Sequence, residues 1–325
     1  MKFRLPISFF AVLAIFSALA NSQSQTPAPT KTSTPTPTDT NIQRPPSTPS
    51  VAARPIQPFT QADLSVLVGN VQRPNGIVWF NRKLYTACNG DWTLYEIDAI
   101  TGATQTFIFG VKNAHTLYAE PTDQGFNLWI PDFDSNRLIR LNQSRTAPVE
   151  VVRNLPTPWG IAPLNDAFLV SSVRGNELLR ITRRGDVESV LKDLRSPAGI
   201  VVDEDRVYWA NNGSARRAIE WLPIADLGSP DAAPRVLVSG LQNASGLVLA
   251  EDGYLYFTYA LGTRGVVGRV DPAVCAENAC SNDQAEIVVY TELQAPLAGL
   301  AISPDMRLYV HTIFRPEIYW VDLYR

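Results

Sequence analysis

The sequence predicts an all-β protein, a six-bladed β-propeller with four-stranded antiparallel blades. A short motif that normally carries Gly in its third position occurs six times, at steps of 40, 44, 39, 47 and 53 residues. Each copy is followed by further short runs of aromatic and β-branched residues, as strands require. No amphipathic helical window of useful length interrupts them. A period of this size is typical of a propeller blade and not of a helical solenoid.

The repeated motif predicts the innermost strand of each blade. Gly occupies its third position in five copies, and Thr116 replaces it in the second. The six copies are Pro74–Val78, Ala114–Tyr118, Pro158–Ala162, Pro197–Val201, Ala244–Val248 and Leu297–Ala301.

Three further runs complete most of the predicted blades. The second strands are expected at Leu84–Ala87, Leu128–Ile130, Phe168–Val170, Val207–Ala210, Leu255–Thr258 and Leu308–Val310. The third strands are expected at Thr93–Ile97, Arg137–Leu141, Glu177–Ile181, Ala218–Trp221, Val266–Val270 and Glu317–Val321. The fourth strands are expected at Thr104–Phe109, Val149–Val152, Val187–Leu191, Arg235–Val238 and Glu286–Tyr290.

The sixth blade has no fourth run after its third strand. The run Asp63–Val68 precedes the first blade and is not needed there. Because a closed ring removes exposed sheet edges, we expect this segment to pair onto blade six and close the propeller.

The first 58 residues predict export followed by a spacer. Residues 1–20 have a basic start, a long apolar run and the small-residue ending Ala18-Leu19-Ala20, as in a signal peptide; an uncleaved anchor is the alternative. Residues 21–58 hold nine Pro, eight Thr and no Gly, which favours an extended disordered linker. The propeller is assigned to residues 59–325, and the expected location is secreted or periplasmic.

Charge and hydropathy exclude some partners. The formal net charge of −3 gives no reason to expect nucleic acid. Beyond the signal, no run is long enough to span a membrane, so none is expected in the mature chain. A monomer is expected.

The three cysteines have two expected roles. Cys275 and Cys280 lie in an enlarged turn of blade five, where a local disulfide is predicted, and Cys88 is predicted to be a buried thiol.

The repeat units resemble those of a known group of propellers. Pro-x-Gly-Ile, a Leu-Tyr-Val-like strand and then Leu-x-Arg-Ile/Val are similar to the extracellular NHL and gluconolactonase/regucalcin-like six-bladed propellers, over residues 59–325. The resemblance implies a divalent cation on the ring axis, held by Glu, Asn and Asp side chains. Asn75 matches one of those positions, whereas Pro197-Ala198-Gly199 stands where the group has Pro-Asp-Gly.

The turns before the first strands and between the second and third strands open on one face of such a ring. Propellers usually bind ligands there, at the mouth of the central channel. The expected occupant is a small molecule, a glycan or a protein. The residues predicted to bind it are Asn75, Trp159, Ser245, Tyr259, Arg264 and His311.

Two functions from different classes follow. The first is an exported binding module that uses this mouth. The alternative is a metal-assisted hydrolase of the gluconolactonase type, with Asn75, Asp132 and Asn211 holding Ca²⁺. In that hypothesis, His115 serves as the catalytic base. A redox or isomerase role is a third, weaker hypothesis.

Overall fold

The computed structural model describes residues 56–324. The predicted signal and nearly all of the predicted linker lie outside the described residues. The described chain begins with two short strands, β1 (Phe59–Thr60) and β2 (Ser65–Val68), separated by a 3-10 turn at Gln61–Asp63.

Six sheets follow one another along the chain, as the repeat predicts. Blade 1 consists of β3 (Pro74–Phe80), β4 (Lys83–Cys88), β5 (Thr93–Asp98) and β6 (Thr104–Phe109). Blade 2 consists of β7 (Tyr118–Thr122), β8 (Gly125–Asp132), β9 (Arg137–Asn142) and β10 (Val149–Val152). Blade 3 consists of β11 (Pro158–Leu164), β12 (Ala167–Ser172), β13 (Glu177–Thr182) and β14 (Val187–Leu191).

The second half of the ring has the same plan with one insertion. Blade 4 consists of β15 (Pro197–Val202), β16 (Arg206–Asn211), β17 (Ile219–Pro223) and β18 (Arg235–Ser239). Blade 5 consists of β19 (Leu247–Leu249), β20 (Leu255–Leu261), β21 (Arg264–Val270) and, after the short strand β22 (Cys280–Ser281), β23 (Glu286–Gln294). Blade 6 contains β24 (Leu297–Ile302), β25 (Arg307–Thr312) and β26 (Ile318–Asp322).

Strand β2 supplies the missing fourth strand of blade 6. It pairs antiparallel with β26, with Ser65 opposite Trp320 and Val66 opposite Tyr319. Strand β1 adds to the outer edge of blade 5, parallel to β23. The predicted propeller and its closure by an N-terminal strand are therefore confirmed.

Apolar side chains fill each interface between neighbouring blades. Six buried clusters occur among the described residues, and each unites two adjacent blades. Their large, fully buried side chains include Trp129, Trp209, Tyr256, Phe168 and Leu84. Since each cluster needs both of its blades, the ring is stabilised as a whole.

The inner strands approach their neighbours so closely that a side chain has no room at the repeated Gly. A Cβ atom at Gly160 would collide with the carbonyl oxygen of Ala198 in the next blade. In blade 2, Thr116 takes the Gly position, and its hydroxyl donates to the carbonyl oxygen of Trp159 over 2.8 Å. The regular inner strand of that blade begins only afterwards, at Tyr118.

The insertion of blade 5 is anchored to blade 4. Helix α1 (Pro272–Glu277) is capped by Asp271, whose carboxylate accepts the amides of Ala273 and Val274. A disulfide joins Cys275 and Cys280, whose Cα atoms are 5.1 Å apart. Strand β22 then pairs parallel with β18 and extends the sheet of blade 4. None of the helices among residues 56–324 is both long and apolar enough to span a membrane.

A buried arginine fixes the end of the described chain to blade 5. The Arg269 side chain is fully buried, and it forms ion pairs with Asp252 (3.4 Å) and Glu286 (2.8 Å). The hydroxyl of Tyr324 donates to Asp252 over 2.7 Å and accepts from Arg269 over 3.0 Å. Blade 6 is therefore held at both ends, by β2 and by this contact.

Candidate functional site

The beginnings of the inner strands lie together at one end of the channel, which we call the mouth. Contacts between consecutive blades establish this arrangement. The side chains of Asn75 and Asn113 are hydrogen-bonded, the rings of His115 and Trp159 are stacked, and the amide of Gly199 donates to the carbonyl oxygen of Ser245 over 2.7 Å. Residues far apart in sequence therefore share one surface.

Three aromatic rings form a platform at the mouth. The rings of His115 and Trp159 are parallel within 6°, with their centroids 3.4 Å apart. Phe133 stands edge-on to both, with its centroid 4.8 Å from His115 and 5.7 Å from Trp159. All three residues are partly exposed. We call His115, Phe133 and Trp159 the aromatic platform.

The position of His115 in the platform also determines its protonation state. Burial lowers the pKa of His115 to about 3, although part of the residue remains open to solvent. The imidazole is therefore neutral at physiological pH, and its affinity for a proton is low. Such a ring suits stacking against a ligand better than it suits proton abstraction, which needs a pKa near the working pH.

Below the mouth, the inner strands line the channel with a mixed polar and apolar surface. A cavity of about 300 Å³ runs between the inner strands. Its upper end is a ring of one aliphatic side chain from each blade, each at most 8% exposed. These side chains belong to Ile77, Leu117, Ile161, Ile200, Leu247 and Leu300.

A polar network lies beside the platform between blades 1 and 2. Asn75 is 1% exposed, and its Nδ2 donates to Oδ1 of Asn113. The backbone amide of Asn113 donates to Asp132 over 3.3 Å. The other carboxylate oxygen of Asp132 accepts from Arg137 over 3.0 Å. Oδ1 of Asn75 is buried and has no partner among the described residues, so one acceptor at the mouth is unused.

Asn211 belongs to a separate network inside blade 4. Its Nδ2 donates to Glu220 and to the carbonyl oxygen of Arg217, both over 2.7 Å, and its Oδ1 accepts the amide of Arg195. No contact joins Asn211 to Asn75 or to Asp132. Those two residues are linked to each other through Asn113. No cluster of three or more His, Cys, Asp or Glu side chains suited to a metal occurs within residues 56–324.

The proposed calcium ligands therefore do not present an open donor set. A cation bound by all three would have to displace Arg137 from Asp132 and Glu220 from Asn211. The Asp132 carboxylate and the Asn211–Glu220 hydrogen bond are buried, so both contacts would have to be broken inside the protein. The arrangement does not fit the metal, and no reaction step is derived through it.

The remaining predicted ligand-binding residues differ in accessibility. Ser245 is buried against Thr258, with 3.0 Å between the two hydroxyl oxygens. Tyr259 is only 7% exposed, because it packs in the core between blades 4 and 5. His311 is fully buried beside Gly299, and burial lowers its pKa to about 3. A ligand therefore reaches none of these three side chains without local opening, whereas Arg264 is exposed at the rim.

Two residues of the mouth were missed by the sequence analysis, Asn113 and Phe133. Both lie in loops outside the repeated motif, so periodicity gave no signal for them. Phe133 does lie between Asp132 and Asp134, in a turn that the analysis placed on this face. A large apolar residue in a short polar turn is the signal that could have found it.

Comparisons with known proteins agree on the fold. No family model and no curated protein matches the sequence. Among solved structures, the chain is similar to the calcium-binding protein regucalcin from Agrobacterium tumefaciens, with a TM-score of 0.61 and 16% identity over 82% of this chain and 95% of that one. It is also similar to a gluconolactonase from Xanthomonas campestris, with a TM-score of 0.61 and 15% identity over 80% of this chain and 89% of that one.

A third similar structure is a streptogramin B lyase, with a TM-score of 0.57 and 16% identity over 79% of this chain and 96% of that one. At these identities the likeness concerns the fold alone. The predicted resemblance to gluconolactonase- and regucalcin-like propellers is confirmed at that level. The functions named for these three proteins differ, as is common among propellers, so the function must be argued from the site.

Proposed function

We propose that this protein is an exported binding module that takes a small molecule with a flat apolar or aromatic face at the mouth of its propeller. The observation that carries the proposal is the aromatic platform. Three rings from two blades meet in edge-on and stacked geometry, and all remain partly exposed. Exposed aromatic clusters beside a cavity are typical of ligand sites.

The surroundings of the platform support the same class of ligand. Each blade contributes one aliphatic side chain to the channel below, so part of its surface removes an entering apolar group from water. The unpaired Oδ1 of Asn75 is itself buried, so a ligand donor reaches it only if the mouth opens locally. The ligand is therefore defined by its flat face, a description that also includes the ring of a sugar.

Export is supported by the sequence and by the cysteines. The first 20 residues have the pattern of a signal peptide, and a Pro/Thr-rich segment follows them. The disulfide between Cys275 and Cys280 suits an oxidising compartment. Edman sequencing of the protein from a secreting host tests this part, with mature chains beginning at Asn21 expected.

Binding is tested by a thermal-shift and NMR screen of flat aromatic compounds and short glycans on a chain that begins at Ile56. For any hit, W159A and F133A should each weaken binding about fivefold, because stacking on one ring contributes about 1 kcal/mol. Trp92 offers a matched control, since it is 55% exposed in a turn of blade 1 outside the platform. Equal losses in W92A and W159A would contradict the proposal.

The hydrolase remains a second candidate, because gluconolactonases are among the similar structures and Asn75 has a free acceptor oxygen. It requires Arg137 to leave Asp132, and a base stronger than the present His115. A panel of lactones and esters, assayed with and without chelator, tests it. Chelator-sensitive turnover that D132N abolishes would favour this candidate over the binding module.

A further inference from the structure

A second site lies on the same face, farther from the channel, between blades 5 and 6. A cleft of about 650 Å³ opens there. Arg264, Glu292 and Gln294 line it from blade 5, and Thr312, Phe314 and Arg315 line it from blade 6. We call it the rim cleft. It shares no lining residue with the aromatic platform.

One wall of the rim cleft is formed by strands of blade 5 that extend beyond their counterparts in blade 6. By register, Tyr259 in β20 corresponds to Thr312 in β25, because Phe257 pairs with Leu247 as Val310 pairs with Leu300. Strand β25 ends at Thr312, whereas β20 continues for two more residues before it turns into β21. Strand β23 follows this extension, with Gln294 opposite Arg264. A three-stranded wall therefore rises above the mouth face beside blade 6.

The rim cleft holds two arginines without a carboxylate partner. Within residues 56–324, neither Arg264 nor Arg315 forms an ion pair. Arg264 donates to the carbonyl oxygen of Glu292, a neutral acceptor, and forms no ion pair with the carboxylate of that residue. Arg315 lies near the hydroxyl of Tyr319, which is a neutral group.

Acidic groups nearby do not cancel these two charges. Glu292 contributes one carboxylate to the lining, so the cleft has a formal charge of about +1. Glu317, the other acidic residue of the blade 6 turn, is not part of the lining, although its carboxylate and the Arg315 guanidinium both lie near the Tyr319 hydroxyl.

Exposed apolar surface adjoins the charges. Phe314 is 51% exposed within the lining, and Leu261, at the tip of the raised wall, is 46% exposed. A guanidinium binds a carboxylate through paired hydrogen bonds, and an exposed ring beside it covers an apolar group on the same molecule.

We propose that the rim cleft binds a small amphipathic carboxylate, in which one carboxylate is attached to an aromatic or aliphatic body. The carboxylate pairs with Arg264 and Arg315, and the body lies against Phe314. A volume of about 650 Å³ fits a ligand up to the size of a dipeptide or a comparable organic acid. The carboxylate of Glu292 disfavours multiply charged anions.

The test uses two probes with the same body, N-acetylphenylalanine and its neutral amide, and inorganic sulfate as a bare anion. Affinities are measured by NMR titration of the full chain. The acid should bind at least tenfold tighter than the amide and tighter than sulfate. R264Q and R315Q should each weaken binding of the acid about tenfold, and E292Q should strengthen it, because repulsion between two carboxylates is removed.

Arg174 provides the matched control, because it is exposed in the corresponding turn of blade 3. R174Q should leave the affinity unchanged, and the amide signals that shift should be those of the rim-cleft lining, which separates this site from the aromatic platform. The proposal is overturned if no binding of the acid is seen up to millimolar concentration, or if acid and amide bind equally. It is also overturned if sulfate binds as tightly as the acid, or if R264Q and R174Q behave alike.

Discussion

Removing the N-terminal closing strand should destabilise the whole propeller. The proposed change is a chain that begins at Gly69, compared with one that begins at Ile56. The deletion removes Leu64 and Val68, which are 9% and 7% exposed, together with all pairing between β2 and β26. Burial of one such side chain contributes about 1.5–3 kcal/mol. The loss from these two side chains alone is therefore about 3–6 kcal/mol.

That loss is large beside the total stability of a domain, about 5–15 kcal/mol. For a domain of this size it corresponds to a fall in melting temperature of about 5–10 °C. Differential scanning calorimetry of the two chains measures it. A single cooperative transition at a lower temperature is expected, because each interface cluster depends on the closed ring. Equal melting temperatures would refute the closure.

Two point variants test whether β2 stabilises the ring through its buried side chains and not only through its backbone pairing with β26. Val66 and Val68 lie on the same strand, but Val66 is 55% exposed and Val68 is 7% exposed. In a regular strand two residues this far apart would share a face, but a register shift in the pairing with β26 lies between Val66 and Val68, so the two side chains differ in burial. V68D should therefore lower the free energy of unfolding by about 3 kcal/mol or more, since it places a carboxylate in the core. V66D should change it by less than about 1 kcal/mol, and a larger effect of V66D would contradict the register.

Three further predictions concern titratable groups and thiols. Cys88 is buried, and burial raises its pKa, so Ellman's reagent should find no thiol in the native protein, one after unfolding and three after reduction. Hydrogen bonds from the amides of Thr101 and Ile100 hold the pKa of Asp98 well below its usual range. This carboxylate therefore stabilises the fold above about pH 4, and D98N should reduce the stability lost on acidification below that pH. Burial lowers the pKa of His311 to about 3, so the unfolded chain takes up its proton first as the pH falls below about 6.5. Stability should then fall by about 1.4 kcal/mol per pH unit from this group, and urea unfolding of H311Q should show a smaller slope between pH 6.5 and 5.

Much of the fold could be predicted because every blade of a propeller repeats the same local structure. The Gly of the motif marks where inner strands meet, and the alternation of the following runs marks the strands behind it. The closing segment was recognised from a strand missing at one end of the chain and a spare strand at the other. Helix α1 and strand β22 were not foreseen, because they occur once and have no counterpart in the other blades.

The site was less predictable, for a physical reason. The position of a residue in the repeat predicts the face of the propeller on which it lies. It does not predict the direction in which its side chain points. His311 and Tyr259 belong to the second strands, and their side chains turn into the interfaces between blades. Phe133 occupies a turn without a repeat signal, yet it completes the aromatic platform. Asp132 has the residue type of a metal ligand, but Arg137, five residues later, already pairs with it.

The central claim is that blades 2 and 3 bring His115 and Trp159 into one stack at the mouth, and NMR titration of the two histidines tests it most directly. Because the chain contains only two, their imidazole signals are assigned by H115Q and H311Q. Neither signal should titrate between pH 5 and 8, since burial lowers both pKa values to about 3. In W159A, the His115 signal should titrate toward pH 6.5 and the His311 signal should remain unchanged. A His115 signal that already titrates near pH 6.5 in the unaltered protein would contradict the stack and the site built on it.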